Sequence, residues 1–102
     1  METLNLADVE EYLEEYPVIK ILHDSEYVRV VLFCLNVNQE IPVHVSSSKV
    51  VMQVLNGEGL IKAGKKEIKG KRGTIVFCDK EEPHGMKAEK QFTVLATIAP
   101  RP

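Results

Sequence analysis

Two histidines lie in stretches whose composition is typical of β-strands. His44 occurs in IPVHVSSS and His84 in EEPHGMKA, whereas His23 sits beside Asp24 in a predicted turn and is expected at the surface. A neutral imidazole can ligate a metal, exchange a proton near neutral pH or accept a hydrogen bond from a ligand. A histidine in a strand more often has a purely structural role. The residue types alone leave these alternatives open.

The alternation of side chains along a strand groups several candidate residues. Successive side chains point to opposite faces, so residues two positions apart share a face. Three such sets are predicted: His44 with Ser46; Val50, Met52 and Val54 together; and His84 with Met86. Only three of these side chains, two imidazoles and one hydroxyl, are strongly polar.

One helix is predicted to precede the strands, over about residues 5–16. Apolar and aromatic side chains recur there at spacings of three and four, and so share one face: Val9, Tyr12, Leu13 and Tyr16. Glutamates take the opposite face, and Pro17 is expected to end the helix.

The chain after Pro17 is predicted to be entirely β, with a barrel over about residues 18–99. Runs such as VIKILH, TIVFC and FTVLATIA are rich in β-branched residues and are separated by turn signals. Asn56-Gly57 predicts a two-residue hairpin, and Gly64-Lys65 predicts a further turn. About eight or nine short strands without an intervening helix predict a single all-β domain, a sandwich or barrel.

The composition argues against several classes of protein. A net charge of −2 and a pI near 5.9 provide no field that would attract nucleic acid or anionic lipid. The start METLNLADVE lacks an export signal, and no apolar stretch approaches the roughly 20 residues of a membrane span. Cys34 and Cys78 lie in apolar runs without a Cys-x-x-Cys spacing, so we expect reduced thiols in a cytoplasmic protein.

The first histidine belongs to a longer pattern of fixed spacing. Asn38 is followed by five residues, His44, Val45, Ser46, three residues, Val50, six residues and Gly57. This pattern resembles the first motif of the cupins, which are small jelly-roll barrels. The cupin motif has glycine in the first and last places, histidine at the two central positions and glutamate between the second histidine and the last glycine.

The second histidine occurs in a pattern that resembles the second cupin motif. That motif runs glycine, five residues, proline, one residue, glycine, two residues, histidine, three residues and asparagine. Gly73 and His84 match it, and the positions that depart from it are Asp79, Glu81 and Ala88. The likeness extends over about residues 29–99, and it implies a small jelly-roll barrel with one short N-terminal helix.

The resemblance also implies a metal site, which this sequence carries only in part. Cupins of this type hold iron, manganese, nickel, zinc or copper through three histidines and the glutamate. Here only His44 and His84 remain, because Ser46 and Val50 occupy the other two positions. Two imidazoles make a weakly held site, since stable sites offer at least three protein ligands. Glu81, Glu82 or a thiolate could add a ligand, but no spacing requires it.

The resemblance places the three strand sets inside the barrel and so predicts the lining of a pocket. The predicted lining residues are His44, Ser46, Val50, Met52, Val54, His84 and Met86. Apolar walls with a few polar groups are typical of small-molecule sites. The apolar substitutions therefore favour a binding module over a metal-dependent cupin enzyme, of dioxygenase or isomerase type, that would use His44 and His84. A structural protein with a vestigial pocket is the third alternative.

Three apolar runs predict that the protein pairs with a second copy of itself. VVLFCL, VVMQVL and FTVLATIA are almost continuously apolar, which is typical of strands covered on both faces. One short helix cannot cover the outer faces of three strands. We therefore expect a two-fold homodimer with sheet packed on sheet, as the resemblance also implies.

Overall fold

One short helix and nine strands make up the fold in the computed structural model, which describes all 102 residues. The helix α1 spans Leu6–Val9. The strands are β1 Val18–Asp24, β2 Arg29–Leu35, β3 Glu40–His44, β4 Lys49–Asn56, β5 Glu58–Ala63, β6 Lys66–Lys71, β7 Ile75–Cys78, β8 His84–Ala88 and β9 Phe92–Ala99.

The strands form two antiparallel sheets that face each other. The five-stranded sheet has the order β1-β2-β9-β4-β7, and the four-stranded sheet has the order β3-β8-β5-β6. The chain crosses repeatedly between the two sheets. Neighbouring strands in a sheet are therefore mostly distant in sequence. The predicted all-β jelly-roll with one short helix is confirmed.

The turn at Asn56-Gly57 is not the predicted hairpin. It joins β4 of one sheet to β5 of the other, and these strands do not pair. Gly57 has a φ of +81°, and a Cβ there would lie 1.6 Å from the carbonyl oxygen of Gln91. A turn signal marks where the chain reverses but carries no information about which strand each arm will pair with. By contrast, the predicted turn at Gly64 does join the paired strands β5 and β6.

The helix is much shorter than the predicted range of residues 5–16, because the chain leaves it at Glu10, whose backbone is extended. The run of glutamates places like charges four residues apart, which weakens a helix. The barrel also competes for this segment. One carboxylate oxygen of Glu10 accepts hydrogen bonds from Tyr12 Oη (3.0 Å), Asn56 Nδ2 (3.1 Å) and Thr93 Oγ1 (2.5 Å). These bonds hold the segment flat against the five-stranded sheet.

The outer face of the five-stranded sheet is partly covered by this N-terminal segment. The buried side chains of Val18, Leu32 and Cys34 form a small cluster there, against which Tyr12 and Leu13 pack. Cys78 is also buried but belongs to the core between the sheets. Both cysteines are unpaired.

The main core lies between the sheets. Every second residue of β4 and β9 contributes to it, as the period of a strand requires. Its twelve buried members are Leu35, Val50, Met52, Val54, Ile61, Val76, Cys78, Met86, Ala88, Phe92, Val94 and Ala96. None of the protein's helices has the length and apolar character that a membrane span requires.

Candidate functional site

The two histidines of the predicted strands meet at one end of the barrel. His44 is the last residue of β3 and His84 the first of β8, and the two are directly opposite each other in the antiparallel pair. Their ring centroids lie 4.3 Å apart with the ring planes inclined at 62°. The pairing of β3 with β8 in the four-stranded sheet thus brings together two residues that are forty positions apart in sequence.

The hydrogen bonds of the rings define their tautomers. Nδ1 of His44 lies 3.1 Å from the carbonyl oxygen of Pro42, and Nδ1 of His84 lies 3.0 Å from that of Glu82. A carbonyl oxygen can only accept, so each Nδ1 carries the hydrogen. In the neutral ring, Nε2 then has the free lone pair. Both imidazoles therefore present an acceptor on the side away from their own backbone.

The second ring nitrogen of His84 is reachable although the residue is buried. His84 is 5% exposed, and the ring's one protein hydrogen bond is that of Nδ1. Every fully buried polar side-chain atom of the protein has a hydrogen-bond partner. Nε2 of His84 must therefore be open to the adjoining cavity. His44 is exposed at the mouth of the same cavity.

The cavity beside the two rings, here called the histidine cavity, has a volume of about 380 Å³. This volume falls within the range of small-molecule sites. Its polar groups are the two imidazoles and the hydroxyls of two serines, and its remaining walls are apolar. The lining residues are His44, Val45, Ser46, Ser47, Val50, His84, Ile98 and Pro102.

The loop before β8 holds Ser46 in place at the cavity. The amide of Glu81 donates to the carbonyl oxygen of Ser46 at 2.7 Å, and Ser46 Oγ accepts from the amide of Ser48 at 3.1 Å. The hydroxyl hydrogen of Ser46 has no protein acceptor among these bonds. It is the one side-chain donor that the predicted lining residues contribute.

The backbone retains the conformations expected of the motif glycines, even where glycine is absent. Gly57 and Gly73 have φ values of +81° and +94°. Asn38 and Glu81, which occupy the places of two further motif glycines, also have positive φ, at 70° and 66°. Non-glycine residues rarely adopt this region. Four positions of the resemblance are thus matched in backbone geometry.

The structure brings four of the seven predicted lining residues together at the histidine cavity and places the other three in the core. His44, Ser46, Val50 and His84 line the histidine cavity. Met52, Val54 and Met86 do not, because the apposed sheets close around them in the core. Their exposures are 1%, 1% and 5%. Met86 also borders a separate cleft of about 210 Å³ beside β3 and β5.

Sequence reasoning missed several lining residues for identifiable reasons. Val45 and Ser47 follow the end of β3, where strand alternation no longer applies. Ile98 is on β9, opposite Val50 of β4. An apolar residue near the end of the closing strand was a usable signal, but the register of β9 against β4 was needed to interpret it.

The donor set does not fit a firmly held transition metal. No group of three or more His, Cys, Asp or Glu side chains is placed to hold a metal ion. Val50 offers no lone pair, and Ser46 offers only a neutral hydroxyl. Glu82 turns its carboxylate to the amide of Asp79, at 3.2 Å. Two imidazoles alone fall below the usual three protein ligands.

The nearest thiol does not complete the set either. Cys78 pairs with Val50 across β7 and β4. Burial raises the pKa of the Cys78 thiol, and the carboxylates of Glu82 and Asp79 raise it further. The ligating form of cysteine is the thiolate, which this environment disfavours.

Known structures share both the fold and a substantial part of the sequence. An RmlC-like cupin protein from Desulfovibrio desulfuricans is 32% identical, with 98% of this chain and 97% of that chain covered and a TM-score of 0.90. A Thermus thermophilus protein is 30% identical over the full length of both chains, with a TM-score of 0.94. A cupin superfamily protein from Desulfitobacterium hafniense shares the fold at 18% identity, with a TM-score of 0.87 over 97% of this chain and 91% of that one.

These comparisons define the class of protein: a small one-barrel jelly-roll. The chain belongs to the cupin superfamily. No protein-family model and no curated protein matches the sequence.

Proposed function

We propose that this protein binds a small organic molecule in the histidine cavity, where the two imidazoles accept hydrogen bonds from the molecule. One observation carries the proposal. Both Nδ1 atoms donate to backbone carbonyls, so the neutral rings of His44 and His84 each keep Nε2 as an acceptor, on rings whose centroids are 4.3 Å apart. The surrounding walls, including Val50 and Ile98, are apolar. A few placed polar groups in an apolar concavity are the usual composition of a ligand site.

The geometry favours a ligand with donors on neighbouring atoms. The ring centroids are 4.3 Å apart, so one small molecule can reach both rings. Two adjacent acceptors cannot satisfy each other, and a molecule with hydroxyl groups supplies what both lack. The free hydroxyl hydrogen of Ser46 adds one donor for an acceptor atom of the same molecule.

The alternative functions receive less support. A metal-dependent enzyme of dioxygenase or isomerase type would depend on His44 and His84, which lack a third protein ligand. A structural protein with a vestigial pocket has no need of an open cavity of about 380 Å³. We therefore place binding first.

The binding proposal is tested with a thermal-shift panel of small sugars, hydroxy acids and phenols, followed by titration calorimetry on the hits. We expect at least one hit whose affinity falls about tenfold or more in His84→Ala and His44→Ala, because a hydrogen-bond acceptor is lost. His23→Ala is the matched control, since His23 is exposed on β1 outside the cavity lining. A panel without any hit that depends on His84 would contradict the proposal.

Metal analysis separates binding from metal-dependent catalysis. Protein purified without an affinity tag is analysed for iron, manganese, nickel, zinc and copper. We expect far less than one metal ion per chain. Near-stoichiometric metal that disappears in both His44→Ala and His84→Ala would favour the enzyme and overturn our preference.

We also propose a two-fold homodimer through the uncovered part of the outer face of the five-stranded sheet. The N-terminal segment leaves Ile75 and Phe77 of β7 exposed by 49% and 74%. Their cross-strand neighbours Gln53 and Val51 continue this uncharged patch onto β4. A two-fold contact is self-complementary, so each apolar side chain meets the same patch of the second copy.

Sedimentation velocity at micromolar concentration tests the dimer. Wild-type protein should sediment as a dimer, and Phe77→Glu should shift it to a monomer, because a charge enters the apolar contact. Tyr27→Glu is the matched control. Tyr27 has the same exposure of 74% but lies in the turn between β1 and β2. A wild-type monomer, or equal effects of the two variants, would contradict this interface.

The two thiols support a reducing compartment, and we propose the cytoplasm. Cys34 and Cys78 are both buried and unpaired. They contribute to packing on opposite faces of the five-stranded sheet. Buried free cysteine behaves as a small apolar residue and persists where thiols are kept reduced.

A further inference from the structure

A cluster of charged side chains adjoins the histidine cavity in the five-stranded sheet. Arg29 of β2 is directly opposite Ile98 of β9, and Ile98 is directly opposite Val50 of β4. Residues in direct register point to the same face of a sheet. Ile98 and Val50 both line the cavity. Arg29 therefore lies on the cavity side of the sheet, one strand spacing of about 4.8 Å beyond Ile98, and its side chain reaches to Asp24 of the edge strand β1.

Two arginines in this cluster share a single carboxylate. Arg29 donates from Nε to Asp24 Oδ1 at 3.3 Å and from Nη2 to Oδ2 at 3.4 Å. Nε of Arg101 lies 2.7 Å from the same Oδ1. Arg101 precedes Pro102, which also lines the cavity. These three side chains carry two positive charges and one negative charge.

The two hydrogen bonds to Asp24 leave part of the Arg29 guanidinium without a partner. Nη1 of Arg29 makes no bond to Asp24, so its two N–H groups are free to donate. The side chain of Arg29 is 25% exposed, so part of it is reachable from solvent. The hydrogen bond from Arg29 holds the pKa of Asp24 below its usual value, and Arg101 acts in the same direction. Asp24 thus stays ionised at neutral pH and occupies one side of the guanidinium.

The opposite side of the cavity mouth carries negative charge. The loop before β8 contains three carboxylates, Asp79, Glu81 and Glu82, and one lysine, Lys80, and its Glu81 amide donates to the carbonyl oxygen of Ser46 at the cavity. The one ion pair of this loop joins Lys49 to Asp79 at 3.8 Å, between exposed side chains. The mouth is therefore basic on the β2 side and acidic on the β8 side. Such a field orients a ligand that carries one negative group.

We infer that the histidine cavity takes a hydroxylated carboxylic acid, whose carboxylate pairs with Arg29 while its hydroxyl groups donate to Nε2 of His44 and His84. This inference rests on the proposed function and names the class of ligand. Arginine suits the role because its planar fork matches a carboxylate. The hydroxyl groups match the two acceptor nitrogens, and the aliphatic chain of the acid lies against Val50 and Ile98.

Titration calorimetry with three six-carbon probes tests the inference. Gluconate has both hydroxyl groups and a carboxylate, sorbitol has only hydroxyl groups, and hexanoate has only the carboxylate. We expect gluconate to bind about tenfold or more tightly than either of the others, because neither makes both kinds of contact. The affinity for gluconate should fall with added NaCl, and that for sorbitol should not.

Variants of Arg29 and Asp24 test whether the Arg29 guanidinium binds the carboxylate of gluconate. Arg29→Gln should lower the affinity for gluconate about tenfold or more and leave that for sorbitol unchanged. Asp24→Asn is the second variant, because it removes the carboxylate that competes for the guanidinium. It should keep or raise the affinity for gluconate. Circular dichroism of both variants checks that the barrel is folded.

The outcomes separate this inference from the proposed function. Sorbitol binding as tightly as gluconate, no binding of any of the three probes, or unchanged gluconate affinity in Arg29→Gln would overturn the hydroxy-acid class. Loss of gluconate affinity in Asp24→Asn equal to that in Arg29→Gln would indicate a purely structural ion pair, and it would overturn the inference as well. Gluconate binding that survives in His84→Ala would instead contradict the proposed function, whatever Arg29→Gln does.

Discussion

The two ends of the barrel interior are built from the same strands but differ in what fills them. At one end, Phe92 at the start of β9 is completely buried, with Leu35 of β2 opposite it. A Cβ on Gly59 would lie 2.8 Å from the Phe92 ring, so only glycine leaves the ring its space. At the other end, β9 closes with Ile98 beside an open cavity.

Strand β8 shows the same contrast along its five residues. It begins with His84, whose Nε2 faces the histidine cavity, and reaches Ala88, which is 1% exposed in the core. The closed end contributes close packing, and the open end contributes polar groups without partners. The close packing and the proposed binding site thus lie at opposite ends of one short strand. The predictions below test this division.

The largest expected effect is at the closed end. Phe92→Ala should lower the free energy of unfolding by about 3–5 kcal/mol, because a large buried side chain is lost and the surrounding sheets cannot collapse into the space. His84→Ala should cost clearly less, since its ring already borders a cavity. Urea unfolding followed by circular dichroism measures both. Equal losses for the two variants would remove the distinction between the ends.

The second prediction converts the open end into a metal site. Ser46→His combined with Val50→Glu restores the donor types of the cupin motif beside His44 and His84. We expect Zn²⁺ to bind at least about tenfold more tightly than to the wild type, a gain of roughly 1.4 kcal/mol or more.

Thermal unfolding with and without Zn²⁺ measures this gain, because a metal that binds only the folded protein raises its stability. Val50→Glu alone is the control, since it adds a carboxylate at a buried position without the third imidazole. If the double variant behaved like this control, the correspondence between these positions and the motif would be wrong.

The smallest expected effect concerns the loop that supports the open end. Glu81 has a φ of 66°, a region that costs a non-glycine residue about 1–2 kcal/mol. Glu81→Gly should raise the free energy of unfolding by roughly 0.5–1 kcal/mol after the added flexibility of glycine in the unfolded chain is subtracted. Asn38→Gly should gain less, because asparagine tolerates positive φ. Chemical unfolding measures the free energy of unfolding of both variants. A Glu81→Gly variant less stable than the wild type would show that the backbone of Glu81 is not strained.

Much of the strand pattern could be predicted from local residue types. Alternating β-branched residues indicate strands from Val18 to Ala99, and the turn at Gly64 joins β5 to β6 as expected. The turn at Gly57 shows the limit of such signals. Its residues favour a reversal, but the pairing of each arm is decided by strands elsewhere in the chain.

The helix shows the same limit for periodicity. The three-and-four spacing of Val9, Tyr12 and Leu13 is real, but the chain leaves the helix at Glu10. Glu10 is held by Asn56 and Thr93, which are 46 and 83 residues away in sequence. A local pattern cannot include contacts of that range.

For the site, the sequence by itself determined which groups were available: two imidazoles, a serine hydroxyl and a valine where a carboxylate would be needed for a metal. The tertiary structure alone decided how they act. Strand pairing set the rings of His44 and His84 4.3 Å apart, and the carbonyls behind them selected the tautomers. The register of β2 against β9 placed Arg29 one strand beyond Ile98 of the cavity wall. The physical reason is that residue type defines what a group can donate or accept, whereas distance and direction depend on pairings between strands far apart in the chain.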